Sequence, residues 1–143
     1  MPPNYELFTG LTGAELSVLL PLLKRRSYQR TEVIVNAGDE ARELFFIARG
    51  HVSVTVALVS GAAKRLAAFS AGMAFGEMAI IDRAPRSATI VADTDVECDV
   101  MDLEEFEKLG NSHPAIKIKL LENLSLGLCR KLRKVNRDIS VFD

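Results

Sequence analysis

The chain has 143 residues, 48% of them hydrophobic and 26% charged, which is the composition of one globular domain and not of a disordered segment. Its 18 Lys and Arg balance 19 Asp and Glu, so a net charge of -1 supplies no field for a dedicated nucleic-acid binder. Two cysteines, Cys98 and Cys129, and two histidines, His51 and His113, exclude a disulfide framework, a zinc motif and a histidine-built metal centre.

No apolar run approaches the roughly 20 residues that span a bilayer. The opening Met1-Pro2-Pro3-Asn4-Tyr5-Glu6 lacks the basic and apolar regions of a secretory signal. The expected setting is reduced and cytoplasmic, or the cytoplasmic side of a membrane protein.

The first predicted element is a helix. Thr12 and Glu15 have the spacing of a capping box ahead of Leu16, Leu19 and Leu20, and Pro21 ends or bends the helix. Residues 7–30 are assigned to this N-terminal helical region. Strand signals fill 31–101, where Gly38, Gly50, Gly61 and Gly72 punctuate the chain at the spacing of short strands in a sandwich or barrel. Leu44-Phe45-Phe46-Ile47 predicts a strand buried on both faces. From His51 to Leu58 the residues alternate, with Val52, Val54, Val56 and Leu58 inward and Ser53, Thr55 and His51 outward. Leu66–Phe69 and Thr89–Ala92 are short apolar strands. Val96–Val100 alternates again, with Cys98 inward as a small buried hydrophobe.

Beyond the strands, Asp102 and Glu105 repeat the capping spacing, and Gly110 closes a short helix over Leu103–Leu109. Ser112 then opens a long helix with Pro114 in its first turn. Ile116, Leu120, Leu124, Leu128, Leu132, Val135 and Ile139 recur at steps of three or four, an amphipathic stripe of roughly six turns or more. Cys129 reads as a packing residue on that helix. The basic run Arg130–Arg137 reads as a solvated face whose cations suit a helix C-terminus, with nucleic-acid contact as the alternative. The fold class is α+β, mainly β. It is an antiparallel β-roll, a jelly-roll-like barrel, in a single domain 1–143, with an N-terminal helix, a short helix within the roll and two C-terminal helices over 102–143.

That short helix lies in the segment Gly72–Thr89, which interrupts the strand pattern over Glu77–Ile81. A glycine before it, Gly76, lets backbone approach a ligand, and the first N–H groups of the turn have no intrahelical partner, which suits an anion. Pro85 fixes the chain before Arg86, whose planar fork suits a phosphate, and Glu77 is an acceptor suited to ribose hydroxyls. The plainer alternative is a surface ion pair between Glu77 and Arg86, with Gly72 and Gly76 serving only as turn glycines.

Phe75-Gly76-Glu77-Met78-Ala79 followed by Pro85-Arg86-Ser87-Ala88-Thr89 resembles the phosphate-binding cassette, over 75–89, of cyclic nucleotide-binding domains. These are the domains of the protein kinase A regulatory subunit and the catabolite activator protein. Leu7-Phe8-Thr9-Gly10-Leu11, Gly38-Asp39-Glu40, Leu44–Ile47 and Gly50–Val54 resemble further parts of the family, so the likeness covers nearly the whole chain.

The resemblance implies that Glu77 accepts the ribose 2′-hydroxyl and Arg86 pairs with the cyclic phosphate. It also implies a cradle of backbone N–H groups near Gly76, Ala79 and Ser87, with Phe75, Met78 and Ala88 beside them, and an apolar wall that includes Val54 and Leu66. Leu128, Arg130 and Arg133 are the candidates to cap the base. The implied ligand is cAMP or cGMP, with cAMP favoured because Ser87 stands where threonine often accompanies cGMP preference. No cofactor and no metal are expected.

The implied molecule is a binding module and not an enzyme. Movement of its C-terminal helices would signal to a host domain or partner protein, such as a bacterial transporter, channel or glutaminase, and a homo-oligomer is an allowed state. After the long helix only Ser140–Asp143 remain, too few for the helix-turn-helix of the family's transcription factors, so neither a DNA-binding domain nor a membrane span is expected in this chain. Two other functions stay in view: a ligand-free dimerisation or docking module of the same fold, and a small β-barrel enzyme using Glu77 as acid or base. The second lacks a nucleophile–histidine pair and a metal set.

Overall fold

A computed structural model describes residues 4–140, with side chains to residue 134. After a 3₁₀ turn at Glu6–Phe8 comes α1 (Gly13–Leu19), followed by a second 3₁₀ turn at Leu20–Leu22 that carries Pro21. Eight strands follow: β1 (Lys24–Tyr28), β2 (Val33–Val35), β3 (Glu43–Arg49), β4 (His51–Ala57), β5 (Ala63–Ser70), β6 (Ala74–Phe75), β7 (Thr89–Ala92) and β8 (Val96–Asp102). Between β6 and β7 lies α2 (Met78–Asp82), and α3 (Leu103–Ser112) and α4 (Pro114–Ser140) close the chain. The strands form two four-stranded sheets, ordered β1-β8-β3-β6 and β2-β7-β4-β5, with antiparallel pairing throughout. This is the two-sheet β-roll that the glycine spacing predicts.

The apolar run on β3 serves two cores at once. Phe45 and Ile47 point between the sheets and pack with Val52, Phe75, Ile90, Val96 and Cys98. Leu44 and Phe46 point the other way, into a second core with Tyr5, Phe8, Leu19, Met101, Phe106 and the α4 residues Ile116, Leu120 and Leu124. A strand sandwiched between another sheet and a helical layer has no polar face, so its sequence does not alternate. Phe45 and Phe75 stack with ring centroids 4.7 Å apart, which fixes β6 against β3 just before the chain enters α2.

The α1 capping box forms: Glu15 N donates to Thr12 Oγ1 at 3.1 Å, and Thr12 N donates to Glu15 Oε1 at 2.9 Å. Other local expectations need correction. Residues 7–30 are not helical throughout, because Lys24–Tyr28 form β1. Its side chains are almost all exposed and polar, so no hydrophobic alternation marks it, and pairing with β8 holds it in place. Ser53 faces away from the inter-sheet core, as the alternation predicts, yet it is buried, with its hydroxyl bonding the Asp93 carboxylate; Leu58 lies beyond the end of β4 and is exposed.

Asp102 caps α3 through Glu104 N at 2.8 Å and not through Glu105. Gly110 does not end α3, which runs on to Ser112. A Cβ there would fall 2.5 Å from Lys117 Cδ, so this glycine admits a side chain of α4. The break between the two helices falls at His113, not at Ser112.

Polar contacts bind the N-terminal segment to the rest. Tyr5 donates its hydroxyl to the buried Asp99 carboxylate, which also takes Arg25 Nε at 2.9 Å and Nη2 at 3.3 Å. Asn123 Nδ2 donates to the Leu7 and Thr9 carbonyls, both at 2.8 Å, and Lys119 Nζ reaches Glu15 Oε1 at 2.6 Å. The first half of α4 is thereby anchored. Further along, Leu128 is half-buried and Leu132 is 63% exposed, so the stripe loosens after Leu124. Val135 and Ile139 lie outside the described side chains. Among the described residues no helix is long and apolar enough to cross a membrane.

Candidate ligand site at the cassette

The α2 segment is held by backbone at both ends. Arg86 N donates to Asp39 O and Gly38 N donates to Arg86 O, each at 2.8 Å, which pins the end of the loop against the β2–β3 connection. At its start, Gly76 has φ +83°, and a Cβ there would lie 2.5 Å from Arg86 Nη1 and 3.0 Å from Glu43 O. Only glycine takes that conformation without strain while letting the guanidinium lie against its backbone. Glu77 then stands at the N-cap of α2, Ile80 N donates to Glu77 O at 3.1 Å, and Arg83, with φ 57°, ends the helix in a left-handed turn.

These constraints shape a cavity of about 440 Å³. Val54 and Val56 of β4 and Leu66, Ala67 and Phe69 of β5 form its apolar wall. Phe75, Gly76, Glu77, Met78 and Ala79 line it from β6 and α2, and Arg86, Ser87 and Ala88 from the segment before β7. One cavity therefore gathers the cassette residues Phe75–Ala79 and Pro85–Ala88, together with Val54 and Leu66, but not Thr89. Leu66 is 57% exposed, so it stands at the mouth. Of the three base-cap candidates only Leu128 lines the cavity. Arg130 opens onto an adjoining groove between α4 and the Glu6–Phe8 turn, which shares Glu77, Leu128 and Lys131 with the cavity, and Arg133 lines neither.

The residue that sequence reasoning missed is Lys131. It lines the cavity beside Leu128, and its Nζ donates to Glu77 Oε1 at 2.9 Å and lies 4.8 Å from the centre of the Phe69 ring. A signal for it existed. Lys131 follows Leu124 by seven residues and Leu128 by three, so it continues the buried stripe of α4, whereas Arg133 falls half a turn away.

Arg86 is half-buried. Its Nη2 donates to Glu43 O at 2.7 Å and its Nη1 to Gly76 O at 3.3 Å, and the guanidinium carbon sits 5.8 Å from the Phe45 ring centre. Among the described residues no carboxylate lies within ion-pair distance of it, unlike Arg25, Arg26, Arg42, Arg65 and Arg83, which are all paired. Burial lowers its pKa from the ordinary arginine value, and the more distant charges of Glu43, Glu77 and Asp39 act in the opposite direction. An arginine keeps its proton in any such setting, so the cavity holds a cation whose charge is balanced only at a distance.

Chemically the site suits a small anion that carries a flat apolar ring and a hydroxyl: an apolar wall, a planar cation, a carboxylate acceptor, and the N-terminal turn of α2. Neither histidine lines it, and among the described residues no three His, Cys, Asp or Glu side chains converge as a metal cage requires.

The family model of the cyclic nucleotide-binding domain matches residues 25–113. Glutaminase 2 of Bradyrhizobium diazoefficiens is 37% identical over 136 residues, which is 95% of this chain and 21% of the glutaminase. The cyclic AMP receptor protein of Thermus thermophilus is 30% identical over 95% of this chain and 61% of its own. The chain thus spans about a fifth of the glutaminase's length and under two thirds of the receptor protein's. Among solved structures, the Thermus thermophilus catabolite activator protein superposes with a TM-score of 0.81 at 30% identity, over 96% of this chain and 62% of that one. A cyclic nucleotide-binding domain from Methylobacillus flagellatus superposes with a TM-score of 0.86 at 25% identity, over 95% and 76%.

Proposed function

The chain belongs to the cyclic nucleotide-binding domain family, and on that premise we propose that its cavity takes up a cyclic purine mononucleotide, cAMP in preference to cGMP, and reports occupancy through α4. The observation that carries this reading is the half-buried Arg86. It has no carboxylate partner among the described residues and shares one apolar-walled cavity with the carboxylate of Glu77. Arg86 pairs with the cyclic phosphate, and backbone N–H groups near Gly76, Ala79 and Ser87 complete the cradle. Glu77 accepts the ribose 2′-hydroxyl. Val54, Leu66 and Phe69 carry the sugar and base. The preference for cAMP rests on Ser87 and on the likeness to a protein named as a cyclic AMP receptor.

The output is a shift of α4 relative to the roll. The helix is anchored as far as Asn123 and reaches the cavity with Leu128 and Lys131, so a ligand that packs against Leu128 biases its position. The likeness to a glutaminase supports a host enzyme as the receiver. Isothermal calorimetry with cAMP and cGMP tests the proposal: saturable binding of one nucleotide per chain is expected, tighter for cAMP, and no binding of either contradicts it. Amide exchange should also slow over residues 116–134 when ligand is added.

A further inference from the structure

Building on that reading of Glu77 as the ribose acceptor, we propose that Lys131 is a positioning residue. Reaching across from α4, it holds the Glu77 carboxylate ready for the sugar. A glutamate side chain has several rotamers, and a ligand that must order it loses affinity in doing so. Here the ordering is already in place. Lys131 Nζ bonds Glu77 Oε1 at 2.9 Å, and the Glu77 side chain is only 13% exposed. The lysine is held in turn, because its amine lies 4.8 Å over the Phe69 ring on the cavity wall. Among the described residues Glu77 Oε2 has no hydrogen-bond partner, and the residue lines the cavity. A carboxylate accepts at both oxygens, so one can keep the lysine while the other takes the hydroxyl. Ribose binding and the ion pair are therefore compatible, and the pair gives α4 a direct grip on the residue that reads the sugar. When the second half of α4 lies against the cavity, Glu77 is preorganised; when it lifts away, Glu77 is not.

The test compares cAMP with 2′-deoxy-cAMP by calorimetry on the wild-type chain and on Lys131→Met and Lys131→Arg. Lys131 is half-exposed, so neither variant threatens the fold. Lys131→Met should weaken cAMP by roughly two- to tenfold and leave the 2′-deoxy ligand within about twofold of wild type, since that ligand makes no use of Glu77. Lys131→Arg should restore most of the cAMP affinity. Equal losses for both ligands overturn the proposal and make Lys131 a contact to phosphate or base. Tighter cAMP binding by Lys131→Met overturns it too, and makes the lysine a competitor for Glu77. Unchanged cAMP affinity overturns it outright. A wild-type chain that binds both ligands equally well instead removes Glu77 as the sugar reader, and one that binds neither removes the nucleotide reading beneath it; the inference falls with either.

Discussion

Arg25 and Arg86 are the same side chain put to opposite uses. Arg25 meets two carboxylates, Asp99 and Glu97, and Asp99 is in turn hydrogen-bonded by Tyr5. Every charge there has a near partner, and the cluster joins the N-terminal segment, β1 and β8. Arg86 is more buried, yet it meets only the carbonyls of Gly76 and Glu43. Carbonyl dipoles orient a guanidinium without neutralising it, so its charge stays available to an incoming anion. An arginine saturated with carboxylates is structure; one held only by carbonyls beside a cavity is a binding group.

A large effect on affinity sharpens this contrast without touching either charge. Gly76→Ala places a methyl 2.5 Å from Arg86 Nη1 on a backbone with φ +83°. Stability should fall by about 1–2 kcal/mol, and nucleotide affinity by roughly ten- to a hundredfold, because the guanidinium must leave its seat. Calorimetry and urea melts read the two losses separately. Affinity retained in this variant would mean that the seat of Arg86 is unimportant.

Asp99→Ala strikes the other region. It removes the acceptor of the Tyr5 hydroxyl and the main partner of Arg25, and stability should fall by about 1–3 kcal/mol. Most of that belongs to the buried Tyr5 bond, since Arg25 is half-exposed and its share is screened. Nucleotide affinity should stay at the wild-type value, and a loss of affinity equal to that of Gly76→Ala would erase the distinction between the two regions.

The smallest effect is alkaline. Burial pushes the Cys98 thiol from its ordinary 9.0 up to about 12, and burial together with the bond to Asp99 also pushes Tyr5 up. Both acids hold their protons more tightly folded than unfolded. Their contribution is fully present below the unfolded pKa values and is lost as pH rises through the folded ones. Melting temperature should therefore decline from about pH 9 toward pH 12, and Cys98→Ala should lessen the decline. An unaltered slope in that variant would remove Cys98 from the account.

Sequence reasoning reached the cavity because its residues are local. Gly76, Glu77, Arg86 and Ser87 lie within twelve residues of one another, and a turn glycine, an acceptor and a fixed arginine have a chemistry that spacing alone displays. The doubly buried β3 was legible for a similar reason, since four consecutive apolar residues leave no polar face. What escaped depends on distant partners. β1 is a polar edge strand whose only mark is its pairing with β8. Ser53 is buried on the outer face because Asp93, forty residues on, receives its hydroxyl. Gly110 has the look of a helix stop, but it makes room for Lys117 of the next helix. Lys131 read as part of a solvated basic run, although helical phase puts it on the stripe of Leu124 and Leu128, where a cation needs a carboxylate from elsewhere in the fold.

The most direct test of the central claim is a crossed measurement of Arg86→Ala and Arg25→Ala, with cAMP affinity by calorimetry and stability by thermal melting on the same samples. Arg86→Ala should lose roughly ten- to a hundredfold or more in affinity, as expected for charge-assisted bonds of about 1.5–3 kcal/mol, with only a modest drop in melting temperature. Arg25→Ala should bind cAMP like wild type and melt lower. Wild-type affinity in Arg86→Ala would contradict the claim that its unneutralised charge is the phosphate site.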